Sequence, residues 1–492
     1  MIGGLCGHRA CTADAARTIC GRMPAPRRPL VITLGVLPLL ADWGYKAILH
    51  PRPFWAFYFD PEMIYVQDGL RLLSGRAPFN VDNPGAPVQL LSAAIEKLVG
   101  RLPQSIDAIR LCGYVVALLF AIGAAALLEK TLFRETPVLF AVAGLWTFFM
   151  APAALEYDTV WSPEILFFSV GALTLAALSS RSRPLLAGLC VGLCVATKFV
   201  FLAWTPAILT AISVERRRIR DVVVSAAGII LGFVAATLPV VTRYRDMAKW
   251  LWGLASHSGW YGRGPAGPPH IRLTLIGYWE IAAACKGWLL WCAIVVSLLL
   301  CARRRDRALV VFGSMAIIGS ILMAMRTPAG RYLLPGALGV VALVGAVREI
   351  RPWLTKLAFT VALAIVGGVV MNDCRSHDRL IAEQSAFRAE IDRSVARIRK
   401  RGDIVVFGWR TPEPSFALRF LAFDRNWIAE TERLHPGEGH FNDEERRFHL
   451  PAGAVRWDVL VLERGLLASV PEPVIPAAPD VGPFAIVRPL RR

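Results

Sequence analysis

Charge is scarce in this chain of 492 residues. Asp, Glu, Lys and Arg make up 19% of it, against roughly 25% in a soluble protein. Acids are the scarcer sign, 37 against 55 Lys and Arg, for a formal net charge of +18. Metal-type C-x-x-C spacing is missing from the ten cysteines. Cys112, Cys190, Cys194, Cys285, Cys292 and Cys301 lie in or beside apolar runs and read as small buried hydrophobes. Cys6, Cys11 and Cys20 belong to a basic, patternless N-terminal tail, within which Met23 is an alternative start. No internal repeat is visible, and the cytoplasmic side shows no phosphate-cradling glycine loop. The first apolar run lacks a small-residue cleavage site and carries Asp42 and Lys46, four apart and able to pair. It reads as a retained helix rather than a signal peptide.

What the chain has instead is apolar sequence. Hydrophobic residues are 55% of it, and apolar runs of roughly 18 to 24 residues recur between residues 30 and 371. About 20 such residues as helix cross the hydrocarbon core, and backbone inside a bilayer has to be helical or a closed barrel. The expected fold is an all-α polytopic membrane protein with a small C-terminal α/β domain. Its positive charges sit in short loops between the runs, the positive-inside pattern. That pattern makes the lipid bilayer the partner and excludes nucleic acid.

The basic loops thread the chain. Residues 1–28 form a cytoplasmic tail, and helices are expected at about 29–50, 106–128, 136–154 and 163–180. The next apolar run is followed by "ERRRIR", a second cytoplasmic signal in succession. Two short helices, about 184–197 and 200–213, folding back near Lys198, resolve the conflict. Helices at about 221–242, 286–302, 308–325, 332–347 and 354–371 complete a membrane domain (29–371) of about eleven spans. Its outer loops are 51–105 and 244–284, and its C-terminus lies outside. Residues 372–492 read as a small extracytoplasmic α/β domain. "RSHDRLIAEQSAFRAEIDRSVARIRK" has helical periodicity, and "GDIVVFGW", "WDVLVLE" and "FAIVRPL" read as buried strands, with "PEPSFALRFLAF" as the helix between the first two.

With this threading the distinctive polar clusters share the outer face. They are Asp60 and Glu62; Glu156, Asp158 and Glu164; Lys198; and His257, Tyr261 and Arg263 together with Arg326 and Arg331. Each has a bland reading. Asp60, Glu62 and Asp158 suit solvated loops, Glu164 suits a helix N-terminus, and Lys198 could snorkel to the interface. Arg331 could anchor a helix at the interface. His257 has no companion at ligand spacing. Against that, an ionisable residue deep in an apolar run, as Lys198 is, marks a functional candidate. The Asp60-x-Glu62 pair would admit a divalent cation such as Mg or Mn without defining a metal site.

The ordered set "IYVQDGLRLLSGRAPF", "NPGAPVQ", "SPEILFFSVGALTLAAL", "GLCVGLCVATKFVFL", "HSGWYGRG" and "GRYLLP", after an acid in the first outer loop, resembles the GT-C glycosyltransferases. That superfamily uses polyprenyl-phosphate sugars and includes the protein O-mannosyltransferases and the lipid A aminoarabinose transferase. The resemblance covers roughly residues 55–335. It implies a polyprenyl-phosphate-linked sugar donor, a lipid, protein or polysaccharide acceptor, and Asp60 as the base that deprotonates the acceptor hydroxyl. It implies inversion at the anomeric carbon, for a hexosyl- or pentosyltransferase of a bacterial inner membrane. Fixed cations would stabilise the leaving phosphate, with Lys198 and Arg331 first in line and Arg263 and Arg326 next. Glu62 would assist Asp60, and Asp158, Glu164, His257 and Tyr261 would contact substrate. The rival is a transporter or lipid flippase, whose sites lie at the midplane between repeated halves; the missing repeat and the one-sided acids count against it.

Overall fold

Long apolar runs have one way to satisfy their backbone in lipid, and in the computed structural model nearly every such run is a helix. The structure describes residues 27–490 except 57–61, 82–84, 150, 152–154, 156–158, 180–182, 258–265, 303, 327–328, 409–410, 415–416, 419–424 and 443–446. Asp60, Glu156, Asp158, Tyr261 and Arg263, and the tail holding Met1 and Met23, therefore lie outside the described residues. Helix α1 (Arg27–Gly44) closes in a single π-turn, Tyr45–Leu49, and Lys46 in that turn is buried, 4% exposed. Two short helices follow, α2 (Ile64–Leu73) and α3 (Ala86–Val99), packed on each other. Next come α4 (Ile106–Lys130), α5 (Val138–Phe149) and α6 (Phe167–Ser179), the last entered through a 3₁₀ turn at Pro163–Leu166.

Helix α7 (Pro184–Thr197) stops at Lys198, whose φ of −159° and ψ of 132° are extended backbone. A 3₁₀ turn, Phe199–Ala203, then leads into α8 (Trp204–Arg216) and α9 (Ile219–Ala236). Glycines show how these helices meet. A Cβ on Gly188 would lie 2.1 Å from the Ser225 carbonyl oxygen, and one on Gly192 would lie 2.2 Å from that of Ile229. The contact advances by four residues on both helices at once, so α7 and α9 run parallel with backbones in direct contact. Small residues spaced four apart permit this approach. Two parallel helices in sequence require the segment between them to return, so the chain reverses at Lys198.

The remaining helices are α10 (Tyr244–Ser256), α11 (Ile271–Ala284), α12 (Lys286–Cys301), α13 (Arg307–Ala324), α14 (Leu334–Ala346), α15 (Pro352–Ile398) and α16 (Arg425–Leu434). Among the described residues six helices are long and apolar enough to cross a membrane, or seven if α11 and α12, bent by 88°, are one span. Four shorter apolar helices fall at 138–149, 163–179, 184–197 and 330–346. Length and composition do not establish the expected count of about eleven. Leu119, Ile230, Ile318, Leu322 and Leu363 point outward from the bundle, as lipid-facing side chains do. The chain is a polytopic membrane protein.

The short strands β1 (Arg304–Arg305) and β2 (Val347–Glu349) pair antiparallel. Beyond α15 lies a six-stranded mixed sheet of β3 (Val405–Phe407), β4 (Glu438–Asn442), β5 (Arg447–His449), β6 (Val459–Glu463), β7 (Val474–Val481) and β8 (Phe484–Pro489). Its order is β5-β4-β3-β6-β8-β7, with β3 parallel to both β4 and β6. Ile391 and Val395 of α15 share a core with Val405, Phe407 and Phe484 of the sheet. Strands β3, β6 and β8 fall within the three expected ones; β4, β5 and β7 were not expected. Within the expected helix "PEPSFALRFLAF" the described residues Pro414, Ala417 and Leu418 are helical, the remainder of its second half lying outside the described residues, and a further helix, α16, precedes β4. Helix α15 also runs unbroken through residues 371 and 372, where a domain boundary was expected, because charged helix formers continue the pattern that apolar residues begin.

A Gly192→Leu variant has to push α9 away from α7. Overpacking of this kind costs about 1–3 kcal/mol. Thermal unfolding in detergent should show a clearly lowered midpoint, with Gly192→Ala falling between the variant and the parent.

Candidate functional site

Three groups of buried charge gather where the segments after α1, before α6 and after α7 meet the helices. The first is centred on Glu62, 1% exposed, at the entry to α2. Its Oε2 accepts from Arg52 Nη2 at 2.9 Å. Its Oε1 accepts from Arg110 Nε at 3.1 Å, from the Trp161 backbone N–H at 3.2 Å, and from the Tyr114 hydroxyl. Burial pushes the carboxyl upward, but Arg110 and Arg52 outweigh it and hold Glu62 below the ordinary carboxylate range. Three of the four donors converge on Oε1, and among the described residues Oε2 is held by Arg52 alone. In this geometry Glu62 holds Arg52, Arg110, Tyr114 and the Trp161 backbone together.

Arg52 extends this frame. Its Nη1 donates to the Ala56 carbonyl at 3.0 Å while Nη2 holds Glu62. Ala56 and Glu62 are the described residues on either side of 57–61, the segment containing Asp60. Arg110 Nη1 in turn donates to the Arg52 carbonyl at 3.1 Å, so α4 supports both ends of the frame. Sequence reasoning missed Arg52, Arg110 and Tyr114. Arg110 carried a signal, being a cation near the head of an apolar run.

The second group is Glu164 with Lys198, a buried ion pair with the residues 4% and 3% exposed. Glu164 stands in the 3₁₀ turn ahead of α6 and Lys198 at the break after α7. The Lys198 ammonium lies 6.0 Å from the Phe167 ring centroid and 5.7 Å from that of Tyr332. Arg331 stacks its guanidinium 5.3 Å over the Tyr332 ring and lies within electrostatic reach of Glu164. Of the expected donor-phosphate residues, Lys198 and Arg331 are thus brought to one place. Arg326 donates from Nη1 to the His257 carbonyl at 3.1 Å, while His257 Nδ1 shares a hydrogen bond with Ser256 Oγ at 2.8 Å.

The third group surrounds Lys46. Its ammonium lies 2.7 Å from Asp42 Oδ2, donates to the Leu155 carbonyl at 2.7 Å, and pairs with Asp373 of α15. The pairing of Asp42 with Lys46 was expected; Asp373, distant in sequence, was not. Among the described residues no group of three or more His, Cys, Asp and Glu gathers to hold a metal ion.

Two further carboxyls shape the segment between α1 and α4. Asp68 of α2 accepts from the backbone N–H groups of Phe79 and Asn80 at 2.6 and 3.2 Å and from Gln89 at 3.0 Å. Burial lifts it to about 6, although these donors oppose the rise. Glu96 of α3 is fully buried beside Gly69, with no hydrogen-bond partner among the described residues, and burial raises it to about 9.

The arrangement of these helices and the C-terminal sheet matches crystal structures of ArnT from Cupriavidus metallidurans. The structure bound to undecaprenyl phosphate aligns with a TM-score of 0.55 at 10% identity, over 93% of this chain and 97% of that one. The apo structure aligns with a TM-score of 0.55 at 12% identity, over 97% and 98%. The chain has the ArnT fold. No protein-family model and no curated protein matches its sequence. The expected GT-C resemblance is thus met at the level of fold, across nearly the whole of both chains.

Two predictions follow from the carboxyls. Glu62→Gln leaves Arg52 and Arg110 buried without their counter-charge, a change that costs about 3–5 kcal/mol; thermal unfolding in detergent should show a large drop. Wild-type Glu62 stabilises the fold above the ordinary carboxylate range, and that contribution is lost as pH falls through its lowered folded value, so the gap between the two proteins should close in acid. Glu96 has the opposite sign. A carboxyl raised to about 9 binds its proton more tightly folded than unfolded, so stability is lost as pH climbs from the ordinary carboxylate range toward that value. Glu96→Gln should match wild type at acidic pH and be the more stable protein near pH 9.

Proposed function

We propose that the protein is an integral membrane glycosyltransferase that moves a sugar from a polyprenyl-phosphate donor to an acceptor hydroxyl on the outer face of a bacterial inner membrane. The observation that carries this reading is the meeting of Lys198 and Arg331 around Glu164, at the break between α7 and α8 and among the Phe167 and Tyr332 rings. Such a place suits a phosphate whose isoprenoid tail lies among apolar helices. The fold shared with an ArnT structure bound to undecaprenyl phosphate supports the same donor class.

The chemistry is a displacement at the anomeric carbon. Asp60 takes the proton of the acceptor hydroxyl as its oxygen attacks that carbon. The bond from the anomeric carbon to the phosphate oxygen breaks, and the polyprenyl phosphate leaves with the electron pair. Lys198 contributes a point charge and Arg331 a planar fork of donors to the growing charge on the phosphate. Attack opposite the leaving group inverts the anomeric centre. In this reading the N-terminus is cytoplasmic and the C-terminal sheet lies outside, with Asp158, His257, Tyr261 and Arg263 facing substrate.

Purified protein incubated with a panel of polyprenyl-phosphate sugars and membrane extract should yield a glycosylated product by mass spectrometry. Asp60→Asn should lose at least a hundredfold in turnover, the scale of general-base catalysis, and still bind donor lipid. Lys198→Met should weaken donor binding. Full-rate transfer by Asp60→Asn would remove that residue from the mechanism. Movement of lipid across vesicles with no transfer would overturn the reading as a whole.

A further inference from the structure

A cavity of about 180 Å³ opens between the π-turn of α1, the segment around residue 160 and the middle of α15. Lys46, Arg52, Thr159, Asp373, Ser376 and His377 line it. It is distinct from the Lys198 cluster, yet Thr159 stands only five residues before Glu164, a chain reach of at most about 18 Å.

The cations on this wall, Lys46 and Arg52, and Arg110 behind it are already matched. Lys46, Arg52 and Arg110 stand against Asp42, Asp373 and Glu62, through the ion pairs of Lys46 with both aspartates and of both arginines with Glu62. A second anion would disturb that balance. A neutral ligand rich in hydroxyls would not, because the Arg52 guanidinium, the Asp373 carboxylate, the Thr159 and Ser376 hydroxyls and the His377 imidazole supply both donors and acceptors. The space would hold about six waters at roughly 30 Å³ each, the scale of one sugar ring rather than of an oligosaccharide. Arg52 connects the cavity to the reaction, since the same guanidinium holds Ala56 and Glu62 on either side of the segment bearing Asp60.

We propose that this cavity receives the sugar ring of the donor while the donor phosphate lies at Lys198 and Arg331, an inference that rests on the function proposed above. The π-turn of α1 and the Asp373–His377 stretch of α15 then form a sugar-selecting wall, separate from the groups that hold phosphate.

The test compares detergent-solubilised full-length protein binding undecaprenyl phosphate and undecaprenyl phosphate carrying mannose, glucose, galactose or arabinose. At least one sugar-bearing lipid should bind about tenfold more tightly than the bare lipid. Thr159→Val should abolish that advantage and leave bare-lipid affinity unchanged. Ser376 is exposed, so Ser376→Cys provides a readout that does not depend on altering the buried wall. Alkylation at position 376, mapped by mass spectrometry, should be slowed by the preferred sugar-bearing lipid and not by the bare one. The proposal is overturned if no sugar in the panel adds affinity, if Thr159→Val keeps the advantage, or if both lipids protect position 376 equally. Failure of the wild type to bind either lipid would instead overturn the donor reading.

Discussion

A carboxylate withdrawn from water must be surrounded by donors, and Glu62 is surrounded by four. Those donors come from the loop after α1, from α4 and from the backbone at Trp161. A single buried charge therefore fixes where three distant parts of the chain meet. Neighbouring packing enforces the same meeting: Trp161 also donates its indole N–H to Ser92 of α3 and lies against Gly113 of α4, where a Cβ would come within 2.7 Å of its ring. Removing any one member leaves a charge or donor buried without its partner, which is why such networks are costly to disturb.

The acids between α1 and α4 divide by role. Glu62 and Asp68 are consumed in holding the backbone, the one through arginines and the other through the N–H groups of Phe79 and Asn80. Glu96 contributes bulk and a buried proton rather than charge. What remains for chemistry in the proposed function is Asp60, bracketed in sequence by Ala56 and Glu62, which share Arg52.

Much of the membrane domain was legible in the sequence because the bilayer leaves so few choices. Runs of apolar residues had to be helices, and the basic loops required a reversal near Lys198, where the parallel packing of α7 on α9 places one. The C-terminal sheet was half legible. Strands β3, β6 and β8 are nearly continuous apolar runs, whereas β4, β5 and β7 carry Glu, His, Arg and Pro and resemble loops. At the candidate site the sequence pointed to Lys198, Glu164 and Arg331 individually but not to their meeting. Arg110 stands out as a cation near the head of an apolar run, but nothing local ties it to Glu62, because Arg52, Arg110 and Trp161 are 10, 48 and 99 residues away along the chain.

Helix α15 joins the two halves of the molecule as one piece of 47 residues. At 1.5 Å per residue it is a rod of about 70 Å. It forms part of the membrane core at Ala358 and Ala362, reaches Lys46 through Asp373, and enters the core of the sheet at Ile391 and Val395. A helix of this kind is an axle rather than a tether. Adding one residue to its middle would lengthen it by only about 1.5 Å but turn everything beyond by about 100°. The Arg388 guanidinium, stacked 4.5 Å over Trp55, would then face away from the loop after α1. The orientation of the sheet over that loop is thus set by a residue count.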